Sequence, residues 1–297
     1  MKVTQKYWES TREDIPILTR KVINEYLLSL KLTNKAEATI TKYRWILERF
    51  FSECLVSLGE LTSGDVLTWL NKFSTGKNTK TLNLFLSTLS SFFRFCLEEE
   101  YLENMVIKTR WRLKIPQGLP NYLNEQEYAQ VKLAAEKLPL RDRALVLFLF
   151  SSGCRRAEVA KLCIENVNLD RRTAEILGKG NKYRQIHFSV ECAIVLKEYL
   201  LTRTYEKKDP LFMNKFGNKL QSNGIYNVVR KLGKMAGLSK PLFPHCCRHT
   251  FATNLLARGA DLQFIADELG HADLNTTRVY ARIPTEDLML AYHNIMG

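Results

Sequence analysis

Two segments of this 297-residue chain place a charge pair one helical turn apart. Arg155 and Glu158 follow a long apolar run and the turn Ser151-Ser152-Gly153, so a carboxylate can hold a guanidinium in a partly buried place. His245 and Arg248 repeat the spacing and set an imidazole and a guanidinium on one face of a helix. Taken singly, each pair reads better as a structural ion pair or a satisfied core histidine than as a site. Their order within one half of the chain changes that reading. Arg155 is followed by Lys179 in the run Gly178-Lys179-Gly180-Asn181-Lys182, then by His245 and Arg248, by His271 after Gly270, and by Tyr280 nine residues later. Guanidinium forks and an ammonium suit an anionic group, and imidazoles suit proton movement. Lys179 is equally a solvated turn residue and Tyr280, one of 12 tyrosines, equally a core side chain. His245, Cys246, Cys247, His249 and His271 include metal-type ligands. Adjacent cysteines on a helix diverge, however, and the Cys-x-x-Cys spacing is missing, so a metal is not expected there.

Helices must position these groups. From Leu18 to Tyr101 the pattern predicts four, with Ile23, Tyr26, Leu27 and Leu30 on one stripe and Ile40, Tyr43, Leu47, Phe50 and Cys54 on the next. The third follows Thr62 as N-cap and carries Val66, Trp69 and Leu70; the fourth starts near Asn78 and repeats at Leu82, Leu86, Leu89, Phe93 and Cys96. Lys108, Arg110, Arg112 and Lys114, closed by Pro116, Gly118 and Pro120, read as an extended basic linker whose alternation sets four cations on one side. It is equally a strap along a phosphate backbone and an ordinary hinge. The boundaries are thus a helical domain at 1–106, a linker at 107–119 and a second domain at 120–297.

The second domain opens with the cap-like pair Asn124 and Glu127, a helix to about Lys137 and a core helix from Ala144 to Phe150. Thr173–Leu177 and Tyr183–Phe188 flank the Gly178–Lys182 run as a hairpin, with three strands at most. Helices resume at Val190–Tyr205, Asn223–Ala236, His245–Arg258, Leu262–Leu269 and about Glu286–Ile295. The fold class is mainly α with one small antiparallel sheet.

Composition agrees with a soluble two-domain protein: 45% hydrophobic and 25% charged residues exclude disorder and fibrous architectures. The longest uncharged stretch, Thr81 to Phe93, is far short of a bilayer span, and Met1–Arg12 has no apolar signal core, so a cytoplasmic or nucleoid location is expected. Seven irregularly spaced cysteines read as reduced core residues. Net charge is +13, shared as +5 for residues 1–120 and +8 for the remainder. No acid falls between Asp209 and Asp261, where Lys215, Lys219, Arg230, Lys231, Lys234, Lys240, Arg248 and Arg258 lie. A polyanionic partner is the first suspect, with a merely solvated basic face as the alternative.

The ordered set resembles the tyrosine recombinase (phage integrase) family. Its motifs stand here as Ser152-Gly153-Cys154-Arg155-Arg156-Ala157-Glu158, Gly178-Lys179-Gly180-Asn181-Lys182, His245-Cys246-Cys247-Arg248-His249, and Leu269-Gly270-His271 followed by Tyr280. The length is most similar to Xer proteins and compact transposon or phage integrases. Cys154 and Cys247 replace larger apolar residues but remove no functional group. The resemblance implies an N-terminal four-helix SAM-like core-binding domain that clamps DNA and a catalytic domain with active-site positions Arg155, Lys179, His245, Arg248, His271 and Tyr280. It implies a site-specific recombinase without cofactor, metal or ATP. Tyr280 would attack phosphorus to leave a 3′-phosphotyrosine, Lys179 would protonate the leaving 5′ oxygen, and Arg155 and Arg248 would neutralise the phosphate. Glu158 would orient Arg155. The implied partners are double-stranded DNA bearing recombination sites and a homotetramer on paired sites, joined through an apolar terminal helix; a second recombinase or accessory proteins are left open. Readings that remain open are a topoisomerase or hairpin-end resolvase with the same chemistry, and a non-catalytic DNA-binding regulator.

Overall fold

The computed structural model describes residues 6–115, 118, 120–178, 183–271 and 273–282. The chain divides into two compact units, Met1–Gln117 and Gly118–Gly297.

The first unit holds α1 (Ile17–Leu32), α2 (Glu37–Glu53), α3 (Ser63–Ser74) and α4 (Thr79–Glu98). Thr62 begins α3 by accepting from the Asp65 N–H while the Asp65 carboxylate accepts from the Thr62 N–H. Asn78 caps α4 by accepting from the Thr81 N–H. Aromatic contacts then fix three helices to each other: Phe50 meets Trp69 edge-on at 5.0 Å, Trp69 stacks on Phe73 at 4.8 Å and Phe73 meets Phe85 at 4.2 Å. The basic segment corrects the expected alternation. A 3₁₀ turn at Thr109–Trp111 interrupts it, so a period of two does not hold along Lys108, Arg110, Arg112 and Lys114, although all four are exposed. Trp111 packs against the core, and Asn83 pins Leu113 by donating to its carbonyl (2.7 Å) and accepting from its N–H (3.1 Å).

The second unit begins with α5 (Glu125–Glu136), closed by the reciprocal cap of Asn124 and Glu127. α6 (Leu140–Ser152) is its central helix, buried at every position from Ala144 to Phe150. It starts one turn earlier than the apolar run because Pro139 occupies its N-cap and Asp142 its first turn. After the single turn α7 (Arg156–Val159) come β1 (Val167–Asn168), β2 (Thr173–Leu177) and β3 (Tyr183–His187), an antiparallel sheet in that order with Ala174 opposite both Val167 and Ile186. α8 (Val190–Leu201) stops short of Tyr205: the Thr202 hydroxyl donates back to the Tyr199 carbonyl, and Arg203 donates to the carbonyls of Pro210 and Leu211. α9 (Ser222–Met235), α10 (Pro244–Ala257) and α11 (Leu262–Leu269) follow, then 3₁₀ turns at Leu274–Thr276 and Tyr280–Arg282. This is the mainly α architecture with one small sheet that the sequence predicts. The hairpin tip with Lys179 and the helix expected at 286–295 lie outside the described residues. All seven cysteines are free, six of them buried. Among the described residues no helix is long and apolar enough to cross a membrane.

Candidate active site

Arg248 is the best anchored of the predicted groups. It lies on α10 at 1% exposure, and its guanidinium donates to the carbonyls of Gly153 and Leu269, both at 2.7 Å. Those carbonyls stand at the C-terminal ends of α6 and α11, where a helix concentrates partial negative charge. Burial, helped by the charge of Arg155, lowers the Arg248 pKa to about 10, so it stays a cation at neutral pH. Gly153 makes the approach possible: its φ of 62° ends α6 in the left-handed region, and a Cβ there would strike the Phe251 ring and lie 2.9 Å from Leu269 Cδ2.

Arg155 is held from below by Glu158. The carboxylate accepts from Arg155 Nη1 at 2.9 Å and from its backbone N–H at 2.8 Å. The Arg155 guanidinium also approaches the carbonyls of Leu269 and Gly270, at 3.4 and 3.5 Å. Glu158 carries a second load: Arg184 on β3 grips both carboxylate oxygens, at 3.0 and 2.9 Å. Burial pushes the Glu158 carboxyl up, but the bonds from Arg184 and the Arg155 backbone outweigh it and hold it below the usual range. Gly270, at φ 63°, keeps room for Arg184, since a Cβ would come within 2.9 Å of its guanidinium carbon.

His245 is exposed on the first turn of α10, and burial of its inner face together with Arg248 and Arg155 lowers its pKa. His271 follows α11, its Nδ1 hydrogen-bonded to the Thr277 hydroxyl at 2.8 Å; burial, then Arg248 and Arg155, lower its pKa to about 4. Arg155, His245 and Arg248 line one open pocket of about 430 Å³ together with Arg156, Tyr226 and Phe243. Tyr280 is not among the described residues of that pocket. It sits at 1% exposure against Ala252, Ile265 and Leu269, and its hydroxyl is 2.7 Å from His249 Nδ1. Burial raises the phenol's pKa in spite of Arg248 and Arg155, so the group is a hydroxyl at neutral pH. His249 is held to about 4 by burial, His245 and Arg248.

Five of the six predicted residues are thus described and gather at the junction of α6, α10 and α11. His249, Arg184 and Thr277 were not read from the sequence as site residues. His249 had a signal, since it lies one turn from His245 on the same helix face, with ring centroids 4.5 Å apart. Nothing local marks Arg184 or Thr277.

Residues 121–286 match the model of the phage integrase family, and residues 23–100 match its N-terminal SAM-like domain. The tyrosine recombinase XerA of Pyrococcus horikoshii is 34% identical over 282 residues, 93% of this chain and 94% of that protein. The tyrosine recombinase XerD of Listeria monocytogenes is 31% identical over 70% of this chain and 73% of its own length. In fold, the chain is similar to the XerH site-specific recombinase in a post-cleavage complex with a palindromic difH substrate: TM-score 0.77, 24% identity, 97% of this chain and 92% of that one. The chain belongs to the phage integrase family, the tyrosine recombinases, and is a site-specific recombinase enzyme.

Proposed function

We propose that this protein cuts and rejoins double-stranded DNA at specific sites through a covalent tyrosyl phosphate. The observation that carries the reading is the meeting of Arg155, His245 and Arg248 at one open pocket, with His271 and Tyr280 near enough for the charges of Arg248 and Arg155 to press the pKa of each downward. Two guanidinium forks supply the charge that a pentacovalent phosphate demands, Arg248 from a fixed, water-poor seat and Arg155 under the hold of Glu158. The Tyr280 oxygen attacks phosphorus and the bond to the 5′ oxygen breaks, leaving a 3′-phosphotyrosine. Lys179 gives a proton to the departing 5′ oxygen. His245 and His271 donate to phosphate oxygens or carry the phenol proton; with Nδ1 engaged by Thr277, it is Nε2 of His271 that does this. Tyr280 must first leave His249 and its apolar cluster. Resealing is the reverse attack, which conserves bond energy and needs no ATP.

Residues 1–106 then clamp DNA, 107–119 follow the phosphate backbone as a basic strap and 120–297 carry the chemistry. Two duplexes exchange strands through a Holliday junction held by four protomers, in integration and excision or in dimer and cointegrate resolution. A cavity of about 400 Å³, with Phe150, Phe251, Leu255 and Phe264 on its wall beside Lys132, Glu191, Arg258 and Glu268, is where we place a neighbour's terminal segment (Leu288, Met289, Ala291, Ile295), its apolar side chains against the four apolar ones.

The test is covalent trapping. Wild type and Tyr280→Phe are incubated with fragmented DNA of the source replicon, with and without excess EDTA, and denatured without protease. A wild-type adduct that survives EDTA and is absent from the variant is expected. An adduct on the variant, or none on wild type despite specific binding, overturns the reading.

A further inference from the structure

Arg155 and its neighbour Arg156 line the same pocket but have different partners. Arg155 turns inward to Glu158, while Arg156 is exposed with its guanidinium carbon 5.5 Å from the centre of the Tyr226 ring. Tyr226, on α9, lies 5.9 Å from Phe243, the residue that caps α10 two positions before His245. Arg230, one turn along α9, covers Phe243 at 5.0 Å. The result is a row of guanidinium, ring, ring and guanidinium, of which Arg156, Tyr226 and Phe243 line the pocket that holds Arg155, His245 and Arg248. Among the described residues neither Arg156 nor Arg230 is in an ion pair. A guanidinium laid against a ring spends one face on it and keeps its N–H donors at the perimeter. Charge that is held in place, unpaired and beside an anion site is suited to a second anion.

We infer that Arg156, held by Tyr226, binds a DNA phosphodiester next to the one that Tyr280 attacks and so positions the strand in the pocket. The inference rests on the proposed function for the identity of the ligand. Arg156 is a phosphate-binding residue here, and Tyr226 is a positioning residue that acts through it.

Two measurements test it. The first is the salt dependence of binding to a random-sequence duplex, which needs no cleavage. Loss of one phosphate contact lowers the log–log slope by about 0.9. Arg156→Gln should show that drop, Tyr226→Leu a similar one, and Tyr226→Phe none; an unchanged slope in Arg156→Gln overturns the contact. Arg156 is exposed, so its variant folds even if Tyr226→Leu does not. The second replaces single phosphates around the trapped tyrosine with uncharged methylphosphonates. One substitution beside the scissile position should slow wild-type cleavage about tenfold and slow Arg156→Gln little further, as expected for one charge-assisted contact. Parallel profiles for the two proteins overturn the placement. Absence of any adduct removes the placement together with the catalytic reading, whereas an adduct with an unchanged slope removes this inference alone.

Discussion

Glu158 is the joint on which the site turns, and replacing it with alanine tests that directly. The change leaves the Arg184 guanidinium, whose side chain is 14% exposed, without the carboxylate that it grips twice. Removing one partner of a buried pair costs about 3–5 kcal/mol, because the other charge remains desolvated. The Arg155 backbone N–H loses its acceptor as well, about 1 kcal/mol. The Arg155 side-chain pair is the more exposed one and adds less than about 1 kcal/mol. The expected loss is therefore about 4–7 kcal/mol. All four tryptophans (Trp8, Trp45, Trp69, Trp111) lie in the first unit, so their fluorescence follows that unit, while far-UV circular dichroism follows both. Denaturation read by both signals should show the loss in the dichroism. Arg184→Leu added to Glu158→Ala should then cost about 2 kcal/mol less than the sum of the single changes. Cleavage by the gentler Glu158→Gln should slow about tenfold with non-specific affinity kept, since the fork of Arg155 is loosened but its charge remains. Additivity within about 0.5 kcal/mol, or Glu158→Gln cleaving at the wild-type rate, would refute the role assigned to this carboxylate.

Arg155→Ala and Arg248→Ala should each reduce adduct formation by about 10²–10³-fold while most DNA affinity in a gel-shift assay survives on the remaining cations. His249 and His271 have folded pKa values near 4, below the ordinary 6.5, so the unfolded chain takes their protons first as pH falls. Unfolding free energy should hence decline from pH 6.5 towards 4, by at most about 1.4 kcal/mol per pH unit for each histidine, and His271→Gln should flatten the slope in denaturation series. Gly153→Ala introduces both a strained φ and a collision with Phe251, and should cost about 2 kcal/mol or more in chemical denaturation while displacing the carbonyl that seats Arg248.

The sequence by itself determined what is local. Helical periodicity, the caps at Thr62, Asn78 and Asn124, and the hairpin strands were legible because each depends on residues within a turn or two. The pair Arg155 and Glu158 was legible for the same reason. So was the ordered set of charged residues, since the chemistry of a site is carried by side-chain types. Local reading failed where chain geometry intervened: four alternating cations became an exposed segment with a 3₁₀ turn in it, held by Trp111 and Asn83. Only the tertiary structure decided who holds whom across long separations. Arg248 is seated by carbonyls 95 and 21 residues away, and every residue has a carbonyl, so no side-chain signal announces which two are used. Arg184 reaches Glu158 across 26 residues because the strand register of β3 delivers it there, and Tyr280 meets His249 across 31 because the last described turn folds onto α10. The residue types fix which reactions the chain has the groups for, while packing of α6, α10 and α11 fixes which of those groups face the pocket and which are turned away.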